Sequence, residues 1–106
     1  MNWLDICALE EINALGSRII QGPKGDIAIF RTSDDEVFAL DDRCPHKGGP
    51  LSQGLIYGKR VACPLHNWQI DLETGLAQAP DVGCAHYHSA RVENGRVMLA
   101  LREASS

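Results

Sequence analysis

Two short segments of the sequence each combine a cysteine with a histidine. Cys44 is followed after one residue by His46, and Cys63 is followed after two residues by His66. Thiolate and neutral imidazole are both strong ligands for iron and zinc. The sixteen residues between the two segments (47–62) leave room for a strand. The sequence therefore predicts two loops that each offer one thiolate and one imidazole to a shared metal centre.

Two kinds of metal centre use two cysteines and two histidines. In one type of [2Fe–2S] cluster, two Cys hold one iron and two His hold the other, so that each loop gives one ligand to each iron. A structural zinc site is the main alternative, but it usually pairs Cys with Cys and His with His, separated by two or more residues. Pro45 and Pro64 directly follow the two cysteines, which suits tight loops whose N–H groups point at an anion. The pattern favours the iron–sulfur cluster over zinc, and over four unconnected residues.

The segments and their surroundings resemble a known family. Residues 44–46 (Cys-Pro-His) and 63–66 (Cys-Pro-Leu-His) look like the two ligand boxes of Rieske iron–sulfur proteins. The longer runs 39–54 and 61–75 resemble the small subunit of assimilatory NAD(P)H-dependent nitrite reductase. The details that carry this second resemblance are Lys47-Gly48-Gly49-Pro50 and Asn67-Trp68.

The resemblance implies a role for each of the four ligands. Cys44 and Cys63 would hold the inner iron as thiolates, and His46 and His66 would hold the outer iron as neutral imidazoles. Sulfide fills the remaining positions, so no site is left for a substrate and no catalytic residue is expected. The chain would then be an oxidoreductase subunit that transfers single electrons. Its expected partner is a large subunit with flavin and sirohaem, and together they would reduce nitrite to ammonium.

Two other functions are compatible with the same sequence. The first is a Rieske ferredoxin that carries electrons from a ferredoxin reductase to a ring-hydroxylating dioxygenase; the details in 47–50 and 67–68 favour nitrite reductase over it. The second is a structural or regulatory subunit whose cluster is vestigial or replaced by zinc. All four ligands are intact, which argues for a working cluster.

Residues beside the ligands predict the reduction potential. High-potential Rieske proteins have a disulfide between the two loops, but the matching positions here are Gly49 and Leu65. They also have hydroxyls after the second histidine, where this chain has Trp68 and Ile70. Fewer hydrogen bonds to the sulfurs favour the oxidised cluster, so we predict a potential of about −150 mV rather than +300 mV. The resemblance also implies that Pro80 belongs to a loop that shields the cluster.

The remaining cysteines and histidines have simpler interpretations. Cys7 and Cys84 are expected to be reduced and buried, with a disulfide between them as the less favoured alternative. Cys84, His86 and His88 alternate and would face one side of a strand. Because no further ligand has suitable spacing nearby, we expect this face to pack on the scaffold rather than bind a second metal.

Length and charge exclude several classes of protein. The 106 residues predict one domain, 1–106. A net charge of −4 gives no electrostatic support for binding nucleic acid or an anionic membrane. No apolar run approaches the roughly twenty residues that span a bilayer, and the N-terminus does not resemble an export signal. We therefore expect a cytoplasmic protein.

The ligand loops, about 41–54 and 61–71, must be positioned by β-strands. Alternating and β-branched runs predict about nine or ten short strands, an all-β antiparallel sandwich or barrel. The resemblance adds a small cluster-binding subdomain, with both ligand loops at the tips of hairpins at one end. A helical turn is expected at 9–12 and a hairpin turn at Asn94-Gly95. The predicted strands include 3–8, 18–21, 26–32, 37–40, 59–62, 68–71, 84–92 and 96–101.

Overall fold

The computed structural model describes residues 3–44, 49–64, 68–78 and 83–102. These residues form strands joined by loops and two single turns of 3-10 helix, at Leu9–Glu11 and Leu51–Gln53, which confirms the all-β prediction. None of the helical turns in these ranges could cross a membrane. The strands are β1 (Leu4–Ala8), β2 (Ser17–Gly22), β3 (Gly25–Arg31), β4 (Val37–Asp41), β5 (Leu55–Tyr57), β6 (Arg60–Ala62), β7 (Gln69–Asp71), β8 (Tyr87–Glu93) and β9 (Arg96–Ala100).

The larger scaffold is a six-stranded antiparallel sheet with the order β1-β9-β8-β4-β3-β2. Strand β3, between β4 and the edge strand β2, is buried on both faces because its side chains alternate between two hydrophobic cores. Ala28 and Phe30 face the core shared with the ligand loops. Ile27 and Ile29 face a second core with residues of β1 and β9. The predicted hairpin between β8 and β9 turns at Asn94-Gly95, where both residues have positive φ.

A three-stranded antiparallel sheet, β5-β6-β7, forms the small subdomain. Its inner face is buried through Ile56, Val61 and Ile70, the last two having no exposed surface. Isolated bridges extend its edge beyond β7, from Ile70 to Ala77 and from Leu76 to Cys84. The expected subdomain on a larger β scaffold is therefore present. The sequence did not predict β5, because a three-residue strand with two exposed side chains shows no clear apolar period.

The two ligand loops connect the sheets differently. The second loop joins β6 to β7, which pair directly through Ala62 and Gln69, so it is the expected hairpin tip. The first loop leaves β4 of the large sheet and enters β5 of the small one. The prediction of a hairpin tip is therefore wrong for the first loop. That loop is instead the connection between the two sheets, and its conformation depends on how they pack.

The strand expected from Cys84 begins only at Tyr87. The backbone just before it is bonded to the small sheet and its turn, through the Leu76–Cys84 bridge and an N–H of Ala85 that donates to the carbonyl of Gly75 at 2.7 Å. This pairing holds residues 84–85 in the small subdomain. Residue 86 then returns to the large sheet, where its carbonyl accepts from the N–H of Asp41.

Candidate metal centre

Each cysteine of the predicted ligand set begins a loop, and both loops are closed by the same kind of backbone hydrogen bond. The N–H of Cys44 donates to the carbonyl of Gly49 at 2.7 Å, and the N–H of Cys63 donates to the carbonyl of Trp68 at 2.7 Å. Each bond joins a cysteine to the residue five positions later. His46 and His66 fall inside these two closed loops by sequence, although they lie outside the described residues. The two loops are thus built alike, and each contains one thiol and one imidazole.

The two cysteines are buried in one core. Cys44 is 1% exposed and Cys63 is 0% exposed, and both belong to the cluster that includes Phe30, Leu51 and Leu72. None of the four cysteines of the chain is joined in a disulfide. The two thiols are buried in one core, and each begins a loop whose sequence includes a histidine. This donor set fits a [2Fe–2S] cluster whose inner iron is bound by thiolates.

The first ligand loop is held at both ends by a side chain that the sequence analysis did not single out. The carboxylate of Asp42 accepts two hydrogen bonds from Ser52, one from its N–H at 2.7 Å and one from its hydroxyl at 2.8 Å. The N–H of Asp42 donates to the carbonyl of Asp26 at 2.9 Å. The hydroxyl of Ser17 donates to the carbonyl of Ser52 at 3.0 Å. Both ends of the loop are therefore fixed to the β2–β3 hairpin.

The second ligand loop is positioned by its hairpin. Cys63 directly follows β6, so the paired strands fix where the loop begins. Beyond β7 the chain turns sharply, and the carboxylate of Asp71 accepts from the N–H groups of Glu73 and Thr74 at 2.8 and 3.2 Å. Such an Asx turn is a local device that aspartate provides readily.

Two glycines allow close backbone contacts around the loops. A Cβ at Gly54 would overlap the carbonyl oxygen of Ala62, and a Cβ at Gly75 would overlap the carbonyl oxygen of Ala85. Gly75 also has φ of +78°, a conformation that disfavours other residues. Gly54, by contrast, has φ of −81°, which is open to any residue. The close approach to β6 is what requires glycine there.

The His86 and His88 rings meet edge to face, with centroids 4.8 Å apart. The Nδ1 atom of His88 accepts from the N–H of Arg102 at 3.0 Å, so its Nε2 carries the proton and donates to Asp41 at 2.9 Å. The Nε2 atom of His86 lies 2.8 Å from the Arg102 carbonyl and donates to it. Both rings thus bind the scaffold, as expected. No group of three or more metal-binding side chains occurs within the described ranges.

The two non-ligand cysteines differ in exposure. Cys7 is buried in the second core, as expected. Cys84 is exposed, so the prediction of a buried residue is wrong. Its position in the bridge to Leu76, at the edge of the small sheet, explains the exposure, since no further strand covers it among the residues described.

Pro80 lies outside the described residues, but the segments on either side of it are placed. The N–H of Gln78 donates to the carbonyl of Gln69, and the N–H of Ala77 donates to the carbonyl of Gly83, both at 2.9 Å. Residues 79–82 therefore connect two segments attached to the edge of the same small sheet that carries the second ligand loop. The role of Pro80 as a shield remains a prediction.

A comparison with protein families identifies the fold and the cofactor. The model of the Rieske [2Fe-2S] domain matches residues 2–93. The chain belongs to this family, and its cofactor is a Rieske-type [2Fe–2S] cluster.

Proteins that the chain matches over nearly their full length include dioxygenase ferredoxins and a candidate nitrite reductase small subunit. The chain is 33% identical to the 3-phenylpropionate/cinnamic acid dioxygenase ferredoxin subunit of Photorhabdus laumondii, covering 97% of this chain and 98% of that protein. The ferredoxin of carbazole 1,9a-dioxygenase from Nocardioides aromaticivorans superimposes with a TM-score of 0.83 at 19% identity, covering 96% and 100% of the two chains. A candidate NADH-dependent nitrite reductase small subunit from Mycobacterium tuberculosis also gives 0.83, at 23% identity, covering 98% and 97%. At these identities the two structures show a shared fold only.

Proposed function

We propose that the chain, as one domain of residues 1–106, is a single-electron carrier whose [2Fe–2S] cluster is held by two cysteines and two histidines. Cys44 and Cys63 bind the inner iron, and His46 and His66 bind the outer iron. The matched closure of the two loops carries this proposal, because each begins at a buried cysteine and encloses one histidine. Both irons are then saturated by protein and sulfide ligands, which suits electron transfer rather than substrate chemistry.

The protein supplies position and environment to the centre. When bound, the cluster accepts and releases one electron at a time. The buried thiols lie in an apolar core that excludes water from that side. In the proposed assignment, the two imidazole ligands of the outer iron give an electron path to a partner.

The partner we propose is the large flavin and sirohaem subunit of a cytoplasmic NAD(P)H-dependent nitrite reductase. The residues around both ligand boxes, 39–54 and 61–75, resemble the small subunit of that enzyme. The shared fold with a candidate small subunit is compatible with this assignment. In this function the chain docks on the large subunit and supports electron flow, while nitrite is reduced elsewhere in the complex.

A second function is favoured by a different observation. Identity of 33% over nearly the full length relates the chain to a dioxygenase ferredoxin subunit. In that case a ferredoxin reductase reduces the cluster, and a ring-hydroxylating oxygenase oxidises it. The proposed cluster and ligands are the same in both functions, and only the partners differ.

The outer face of the small sheet supports a lasting protein partner. Leu55, Tyr57 and Leu76 are 65%, 56% and 53% exposed. The strand register places Leu55 opposite Ala62, and Tyr57 opposite Arg60, on this same outer face. Apolar side chains grouped on one exposed face are typical of interaction surfaces. A resident subunit would cover this face continuously, whereas a shuttling ferredoxin would expose it between encounters.

The test is affinity purification of the tagged chain from cells of the source organism grown on nitrate. Co-purification of a large protein with flavin and sirohaem absorbance, and with NAD(P)H-dependent nitrite reduction, would support the nitrite reductase subunit. Purification of the chain alone, with efficient electron transfer from a ferredoxin reductase to a dioxygenase, would support the second function. A matched purification from cells grown on ammonium shows whether the partner is specific to nitrate growth.

A further inference from the structure

We propose that Asp42 and Ser52 form a clamp that retains the cluster in the first ligand loop. The inference rests on the proposed ligands Cys44 and His46. Asp42 lies two residues before Cys44, and Ser52 lies six residues after His46. Their side chains therefore meet across the base of the loop and act on the cluster through the ligands, as positioning residues.

The clamp and the loop closure form two nested rings. The inner ring is closed by the bond from the Cys44 N–H to the Gly49 carbonyl. The outer ring is closed by both carboxylate oxygens of Asp42, which accept from the N–H and the hydroxyl of Ser52. A charged acceptor makes each of these bonds stronger than a neutral pair. Opening the loop widely enough to release an iron must stretch the outer ring.

The clamp is also anchored to the large sheet. The N–H of Asp42 is bound to Asp26 at the start of β3, and the carbonyl of Ser52 is bound to the hydroxyl of Ser17 at the start of β2. Leu51, beside Ser52, is fully buried in the core that contains both ligand cysteines. The clamp thus attaches the loop that joins the two sheets to the β2–β3 hairpin, which restricts the movement of the loop. No other side chain in the described ranges bonds both ends of this loop.

Cluster retention in substituted proteins tests the clamp. Asp42→Ala removes both bonds, and we expect its cluster to bleach roughly tenfold faster in the presence of an iron chelator. Asp42→Asn should bleach more slowly than Asp42→Ala but faster than wild type, because its amide oxygen still accepts from the N–H and its amide nitrogen donates to the hydroxyl, but neither bond has a charged acceptor. Ser52→Ala keeps the N–H bond and should be intermediate, and Ser52→Thr should restore retention. Asp26→Ala is the matched control, since it keeps the backbone carbonyl that accepts from Asp42, and its exposed carboxylate makes no hydrogen bond among the described residues.

The reduction potential separates the clamp from a general loss of stability. Asp42→Asn and Asp42→Ala both remove a negative charge near the cluster, and both should raise the potential. Ser52→Ala keeps the charge and should leave the potential near the wild-type value. The rate of cluster loss should thus depend on the number and strength of the hydrogen bonds that join residues 42 and 52, while the reduction potential should depend on the charge at residue 42. A general loss of stability would not separate the variants in these two different ways.

Any one of three results would overturn the clamp. The first is that Asp42→Ala bleaches no faster than Asp26→Ala, and the second is that Asp42→Asn bleaches as fast as Asp42→Ala. The third result is that Ser52→Ala and the wild type bleach at the same rate. If Asp42→Ala does not fold, the pair Ser52→Ala and Ser52→Thr decides the question. Failure of the ligand assignment is recognised separately, because Cys44→Ala would then keep its cluster.

Discussion

The two ligand cysteines are the residues on which the proposed centre depends most directly. Both are buried in the same core, and each precedes a loop of the same closure. Sequence alone identifies them, because the spacing of Cys and His within each loop is local. The burial of both thiols on one side, by contrast, depends on how the two sheets pack and is visible only in the structure.

Loss of either ligand cysteine should abolish the cluster. We expect Cys44→Ala and Cys63→Ala to purify colourless and with no more than trace iron, since the inner iron would lose one of its two thiolates. Iron analysis and the visible spectrum measure this. Cys84→Ala is the control, because this exposed thiol lies outside both loops, and it should keep the cluster. A brown, iron-loaded Cys44→Ala protein would refute the assignment.

The two non-ligand thiols should differ in reactivity. Iodoacetamide and mass spectrometry on the cluster-loaded protein should show one modified cysteine, the exposed Cys84. Burial raises the pKa of the Cys7 thiol, more than the nearby Arg18 lowers it. Cys7 should therefore stay protonated and unmodified. Rapid modification of Cys7 in the folded protein would contradict its place in the core.

The raised pKa of Cys7 also predicts a pH dependence of stability. In the unfolded chain this thiol loses its proton at a lower pH than in the folded chain, so the unfolded state binds fewer protons between the two pKa values. The free energy of unfolding contributed by the neutral thiol is complete below the unfolded pKa and falls as pH rises above it. Urea unfolding of the wild type from pH 7 to 10, with Cys7→Ala for comparison, measures this. The wild type should lose more stability than the variant; equal losses would exclude the effect.

Residues beside the ligands set the expected potential. Gly49 and Leu65 provide no disulfide, and Trp68 and Ile70 provide no hydroxyl to the sulfurs. Protein-film voltammetry at neutral pH should therefore give a value of about −150 mV, at the low end of the Rieske range. A hydroxyl introduced by Ile70→Thr should move the potential upward if it reaches a sulfur. A wild-type potential well above zero would contradict this interpretation.

At the scale of elements, the positions of most strands follow from the sequence. The turn at Asn94-Gly95 and the apolar runs of β3 and β4 are local signals, and the structure confirms them. The sequence misses β5, and it assigns Cys84 to a strand that begins later. Both errors occur where the small sheet meets the large one. Pairing there is decided by contacts between distant residues, which no local pattern encodes.

Gly75 provides a test of this junction. Gly75→Ala should destabilise the protein by about 2–5 kcal/mol, because a positive φ costs about 1–2 kcal/mol and the overlap with the Ala85 carbonyl adds about 1–3 kcal/mol. Gly95→Ala is a matched control, since its φ of +75° is nearly the same and no atom lies near its Cβ. It should cost about 1–2 kcal/mol. Equal losses in chemical denaturation would show that the junction tolerates the side chain.

At the scale of the whole molecule, both ligand loops lead into strands of the small sheet, whose outer face exposes Leu55 and Tyr57. If this face meets the large subunit, Leu55→Ser and Tyr57→Ser should reduce co-purification of that subunit while leaving the cluster spectrum unchanged. Ile19→Ser is the control, because Ile19 is also an exposed apolar residue, at 46%, but lies on β2 of the large sheet. Equal recovery of the partner with all three variants would place the interface elsewhere.

The proposed electron carrier requires a cluster with two nitrogen and two sulfur ligands from the protein. The sequence predicts the identity of those ligands, and the structure adds the loop closure, the shared core and the clamp. Long-range contacts such as that of Asp42 with Ser52 could not be predicted, because many residues in a loop could make them.

The most direct measurement is pulsed electron paramagnetic resonance of the reduced protein, labelled with ¹⁵N-histidine and purified with its iron. Ligation of the outer iron by His46 and His66 predicts couplings from two histidine nitrogens, both lost together with the cluster in His46→Ala. A cluster without histidine coupling, or a protein that binds zinc in place of iron, would contradict this ligation.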